Sequence, residues 1–205
     1  RSFPVRFACQ TKVNRNDAPD FASPGSDQFE RTRDMTVETI DTLVVGAGQA
    51  GIALSEHLGN SGVPHLVLEK SRVAEAWRSG RWDALVANGP AWHDRFPSLE
   101  FEGHDPDEFV SKDGIADYLE AYAKMVNAPI RTGVEVLKAE RMANRAGFRV
   151  ETSKGIIEAK RIVAATGAFQ HPVIPPIVPE TASATQMHSF YNNTPDQRAD
   201  GAVLI

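Results

Sequence analysis

The residues best suited to chemistry in this chain are the glycines of "GAGQAG", residues 46–51, and the glutamate at position 69. The spacing Gly46-x-Gly48-x-x-Gly51 suits a loop that brings backbone amides against a pyrophosphate. In such a loop the first glycine permits a tight turn. The second lets the backbone approach the phosphates, and the third lets a helix lie close to a strand. The helix that follows turns its first N–H groups and the positive end of its dipole toward the anion, worth about 0.3–1 kcal/mol per favourable charge. Seventeen residues lie between Gly51 and Glu69. A carboxylate at that separation is placed to accept from a ribose 2′-hydroxyl, a bond worth about 1.5–3 kcal/mol. It would repel a 2′-phosphate, so this first site suits FAD or NAD and not NADP.

The motif requires a strand before it and a helix after it, and the flanking sequence supplies both. "TIDTLVVGAG" holds an apolar run, Leu43 to Val45, that stops at glycines, as a buried strand does. "QAGIALSEHLGNSG" reads as a helix with Ile52, Leu54, Ser55 and Leu58 toward the sheet and Gly59 and Gly62 as its stop. "VPHLVLE" is a second strand ending at Glu69. Strand, helix and strand in this order imply a parallel sheet. Residues 71–112 are irregular yet carry Trp77, Trp82 and Trp92, so this loop is expected to pack over a ligand or the core. Residues 113–126 read as an amphipathic helix, with Ile115, Tyr118, Leu119, Tyr122 and Val126 on its core face. Residues 128–167 read as short strands, with turns at Gly147 and Gly155, closing on the apolar "RIVAATG" at the buried centre of the sheet. The expected fold class is α/β: a Rossmann-like domain with a parallel sheet, crossover helices and an added small β-meander.

Composition excludes several other classes. The net charge of −5 is opposite to the basic footprint of a nucleic-acid binder. No apolar run reaches the length of a membrane span. Cys9 is the single cysteine, so an internal disulfide and a Cys-x-x-Cys redox site are excluded, and a cytoplasmic, reducing location is expected. His93 and His104 lie among Asp94, Asp105 and Asp107, but without the ligand spacing of a metal site; a solvated acidic loop is the expectation. Residues 1–36 read as a disordered tail, poor in core-forming types, and Met35 stands just ahead of the first strand as a natural start.

With those motifs in place, the chain resembles the N-terminal half of a flavin-containing monooxygenase, a flavoprotein type with two dinucleotide-binding domains. The resemblance runs from about Thr39 to the end. It rests on the glycine fingerprint, on "ATG" at 165–167 followed by Pro172 and Pro175, and on Arg81 and Trp82 ahead of "DALVANGP". The resemblance implies a cofactor-binding set of Gly46, Gly48, Gln49, Ala50, Gly51, Glu69, Lys70, Trp77, Arg81, Ala165, Thr166 and Gly167. It makes Asn88 the catalytic candidate, beside the reactive flavin carbon; the competing reading of Asn88 is a turn residue before Gly89. The family's F-x-G-x-x-x-H-x-x-x-Y stretch is eroded in "ASATQMHSFYNNTP": Ala182 and Ala184 stand at the Phe and Gly positions, and Asn192 at the Tyr position. His188 would be its histidine, or an ordinary hinge-loop residue.

The resemblance implies FAD as cofactor, NADPH as reductant and oxygen transfer to a small-molecule substrate, a soft nucleophile or a ketone, through a C4a-hydroperoxyflavin. It divides the chain into a tail (1–36), an incomplete FAD-binding domain (37–180), and a hinge with the first strand of an NADPH-binding domain (181–205). Residues 202–205, "AVLI", would be that strand, and the chain is then a fragment that does not complete the cycle alone. Two alternatives stay open: a non-catalytic or degenerate nucleotide-binding fragment, and an NAD-dependent dehydrogenase, which Glu69 also permits.

Overall fold

The computed structural model describes residues 37–169, 171–179, 181–182, 186–197 and 201. The tail 1–36, Ala184 and the "AVLI" strand expected at 202–205 lie outside the described residues. The first strand, β1 (Glu38–Val45), is followed by helix α1 (Gln49–Asn60) and strand β2 (His65–Glu69). Two four-residue helices, α2 (Glu75–Arg78) and α3 (Ala91–Asp94), punctuate the tryptophan-bearing loop. Helix α4 (Lys112–Met125) and strands β3 (Ile130–Thr132), β4 (Val136–Arg141), β5 (Phe148–Thr152) and β6 (Gly155–Ala164) complete the main elements.

The strands form one mixed sheet in the order β3-β2-β1-β6-β5-β4. The pairs β3–β2, β2–β1 and β1–β6 are parallel; β6–β5 and β5–β4 are antiparallel. The expected α/β class with an added meander is therefore borne out, and the meander belongs to the same sheet as the parallel strands. Val44 and Val67 face α1, packing with Leu54 and Leu58, while Leu43, Leu66 and Leu68 face the other way and join Val134, Val150 and Ile157. Burial on both faces explains the unbroken apolar runs of β1 and β2.

A third cluster locks α4 and the loop before it onto α1. Phe101 stacks on Tyr118 with ring centroids 4.0 Å apart, and Phe96 lies 4.5 Å from Tyr122. The Tyr122 hydroxyl donates to Glu56 Oε2 of α1 at 2.6 Å, and Ser98 Oγ donates to Glu56 Oε1 at 3.1 Å. Burial first, and the Glu56 carboxylate second, push the Tyr122 phenol up to about 12. A second pin joins α1 to β2, where Ser55 Oγ and His65 Nε2 are 2.8 Å apart. His65 Nδ1 lies 2.9 Å from the Val63 carbonyl, which can only accept, so Nδ1 carries the ring proton and donates to it, and Nε2 accepts a hydrogen bond from the Ser55 hydroxyl.

Several local expectations are corrected. Strand β1 begins at Glu38, five residues ahead of its apolar run, because Glu38 to Ile40 pair with Ile157 to Ala159; ladder bonds do not need apolar side chains. Gly59 lies inside α1, and Gly62, at φ +65°, makes the stop. Strand β6 reaches back to Gly155 and takes the expected place inside the sheet between β1 and β5, but its "RIVA" end is half-buried to exposed among the described residues. Of the three tryptophans, Trp77 packs on the core cluster but Trp92 is 56% exposed. The amphipathic helix stands as expected, with Ile115, Tyr118, Leu119 and Tyr122 buried.

Candidate functional site

The C-terminal ends of β2, β1 and β6 lie side by side, and the chain leaves β1 toward β2 on one side while β6 returns on the other. In open α/β sheets such a reversal of strand order opens a crevice where ligands bind. The glycine motif, Glu69 and the "ATG" segment all sit at this edge. The Ala165 N–H donates to the Val45 carbonyl at 2.8 Å, and the Gly46 N–H donates to the Leu68 carbonyl at 2.7 Å. These two bonds weld the three loops together just past the strands.

The three glycines differ in the reason for having no side chain. Gly46 stands at φ +107°, and a Cβ there would lie 2.5 Å from the Ala165 carbonyl oxygen. A Cβ on Gly51 would lie 1.9 Å from the Gly46 carbonyl oxygen, so only glycine lets α1 start this close to β1. Gly48 has ordinary extended backbone (φ −87°, ψ −170°), and a Cβ there meets no protein atom within 4 Å. Among the described residues nothing demands glycine at 48; an external group approaching the backbone would.

Gly48 is also the N-cap of α1 and provides no side-chain cap, and the first turn of α1 holds no acidic residue. Gln49 and Ala50 are exposed at that end. The first-turn N–H groups of a helix have no partner within the helix, so this terminus suits an anion. Glu69 does more than the sequence suggests. Its Oε2 accepts from the Ala47 N–H at 2.9 Å and its Oε1 from the Ser71 N–H at 2.8 Å. The carboxylate thus holds the glycine loop in shape, and each oxygen keeps a second lone pair for a hydroxyl. Lys70 is exposed beside it.

Arg81 lies in the loop after α2, with its guanidinium 5.1 Å from the Trp77 ring centroid and 5.9 Å from that of Phe169. Its Nε is buried with no hydrogen-bond partner among the described residues. A buried donor left unmade is costly, about 1–3 kcal/mol, unless something accepts from it. Phe169 follows Thr166 and Gly167 (φ +80°), so the "ATG" loop and the Arg81 loop meet here. Asn88 is exposed on its loop. Its turn is fixed on both sides, by Ala87 N–H donating to the Val110 carbonyl (2.8 Å) and Gly89 N–H donating to Asp94 Oδ2 (3.1 Å). His188 caps a short turn: its Nδ1 accepts from the Phe190 N–H at 3.0 Å.

His93 and His104 are engaged by Asp94 and Glu108, at 2.7 and 3.0 Å. Among the described residues no group of three His, Cys, Asp or Glu could hold a metal ion. Among them also, no helix is long and apolar enough to cross a membrane. Two features escaped the sequence reading: the loop-holding bonds of Glu69 and the buried Lys112. The one available signal for the second was a lysine at the first turn of an amphipathic helix, where cations are disfavoured.

Strand order and the glycine motif together define a Rossmann-type α/β domain. Residues 43–205 match the family model described as pyridine nucleotide-disulphide oxidoreductase, and the chain belongs to that family. It is 36% identical over 168 residues to an uncharacterized oxidoreductase CzcO-like of Geobacillus kaustophilus, covering 81% of this chain and 47% of that protein. It is 33% identical over 167 residues to the indole-3-pyruvate monooxygenase YUCCA1 of Oryza sativa subsp. japonica, covering 80% and 41%. The fold superposes on a flavin-containing monooxygenase from Stenotrophomonas maltophilia with a TM-score of 0.61 at 22% identity, over 68% of this chain and 42% of that one. The resemblance to the flavin-containing monooxygenases is borne out. The chain spans about half the length of the curated relatives it matches.

Proposed function

We propose that residues 37–180 are the FAD-binding unit of an NADPH-dependent flavoprotein monooxygenase. We further propose that residues 181–205 lead into its second, NADPH-binding unit. The observation that carries this reading is Gly48: a glycine that no contact among the described residues requires, at the N-terminus of α1 without a side-chain cap. Gly48, Gln49 and Ala50 would hold the pyrophosphate through backbone N–H groups, Glu69 the ribose, and Arg81 with Trp77 the flavin side of the cofactor. Bound there, the flavin supplies electron transfer and oxygen activation. The chain's own work is to bind, orient and exclude water. Asn88, on a turn fixed from both sides, is the residue we assign beside the reacting centre. The substrate we assign is a small soft nucleophile or ketone, and hydride donation from NADPH we assign to the portion of the relatives that this chain does not cover.

The test is the visible spectrum of the purified chain after incubation with FAD and desalting. One flavin per chain, lost in Gly48→Val, supports the reading; unchanged flavin content in that variant refutes the site. Oxidation of NADPH by the FAD-loaded chain of 205 residues would refute the division of labour. Retention of NAD in preference to FAD would favour a dehydrogenase instead.

A further inference from the structure

Lys112 is a charged residue in an adverse place. Its side chain is 9% exposed, and it opens α4, where the positive end of the helix dipole disfavours a cation. Its partners account for its retention. Nζ donates to the Arg78 carbonyl, the last of α2, at 2.9 Å, and lies 3.4 Å from Asp83 Oδ1 and 4.0 Å from Asp113 Oδ1. The Lys112 N–H donates to the Leu85 carbonyl at 2.9 Å, and Val86 and Ser111 form a β-bridge next to it. One ammonium therefore ties the start of α4 to both ends of the segment 78–83, and that segment carries Arg81 with its unmatched Nε.

We propose that Lys112 is a positioning residue: it sets the path of the loop that presents Arg81 at the ends of β1 and β6, rather than adding to global stability. The consequence for the cofactor rests on the FAD reading above; the effect on the loop does not. Removing one member of a buried ion pair is costly mainly because the other charge is left buried without a partner. Asp83 is 57% exposed and stays hydrated without its partner. Lys112→Met should therefore loosen the loop without unfolding the sheet.

Hydrogen exchange on the whole chain decides this. In Lys112→Met, amides of residues 78–86 should exchange about tenfold faster or more, while those of β1 and β5 keep their protection. FAD, as the probe, should bind at least about tenfold more weakly, and Lys112→Arg, which keeps the donor, should recover part of both effects. Wild-type exchange at 78–86 in Lys112→Met overturns the proposal, as does equal loss of protection throughout the sheet. Should the wild-type chain bind no FAD, the FAD reading falls, and the exchange comparison still decides the role of Lys112.

Discussion

Replacing Glu69 by glutamine separates the two tasks of this residue. The carboxylate accepts from the Ala47 and Ser71 amides at 2.9 and 2.8 Å through different oxygens. Glutamine has one carbonyl oxygen and one NH2 group, so one of the two backbone donors must face another donor. The bond lost is one to a charged acceptor, about 1.5–3 kcal/mol. For a chain of this size that is a fall in thermal midpoint of about 3–12 °C. The loss should appear with no ligand present, read by circular dichroism or calorimetry. Gly48→Val is the matched control: a Cβ there meets no described atom within 4 Å, so its ligand-free midpoint should fall by no more than a poorer N-cap residue costs, about 1 kcal/mol, while FAD retention disappears. A Glu69→Gln chain that melts with the wild type, and loses only FAD affinity, would refute the loop-holding role and leave Glu69 as a ribose contact alone.

Other expectations follow from the same geometry. Gly51→Ala places a Cβ 1.9 Å from the Gly46 carbonyl oxygen, so the variant should lose several kcal/mol, about the cost of strong overpacking, and yield little folded protein in soluble expression. The Tyr122 phenol is raised from 10.0 to about 12, so the folded state favours its neutral form. That contribution is complete below pH 10 and is lost as pH rises from 10 to about 12. Denaturant midpoints should fall across that window in the wild type and more shallowly in Tyr122→Phe. Arg81→Met removes a buried unmatched donor, so it should leave the ligand-free midpoint unchanged or slightly raised while weakening FAD binding in a fluorescence titration.

The glycine fingerprint, the strand before it and the acidic end of β2 were legible because they are local: each is a residue type dictated by its own backbone or its immediate neighbours. The same holds for α4, whose apolar spacing repeats at the helical period. Less was legible where contacts are distant in sequence. The exposed end of β6, the exposure of Trp92 and the early start of β1 depend on which strand or loop lies alongside, and no local pattern encodes that.

From the residues alone came the α/β class, the glycine fingerprint between its strand and helix, and the carboxylate that ends the next strand, since residue types and their spacing suffice for these. The tertiary structure decided why each glycine is a glycine. Gly46 and Gly51 answer to backbone oxygens brought close by the meeting of β1, β6 and α1, whereas Gly48 answers to empty space. It also decided that Glu69 braces Ala47, twenty-two positions away, and that Lys112 reaches back thirty-four positions to Arg78. The first bond exists only once β1 and β2 have paired, and the second only once α4 has packed on α2, because the entropy of closing such long loops is met by burial of the whole core and not by any single pair.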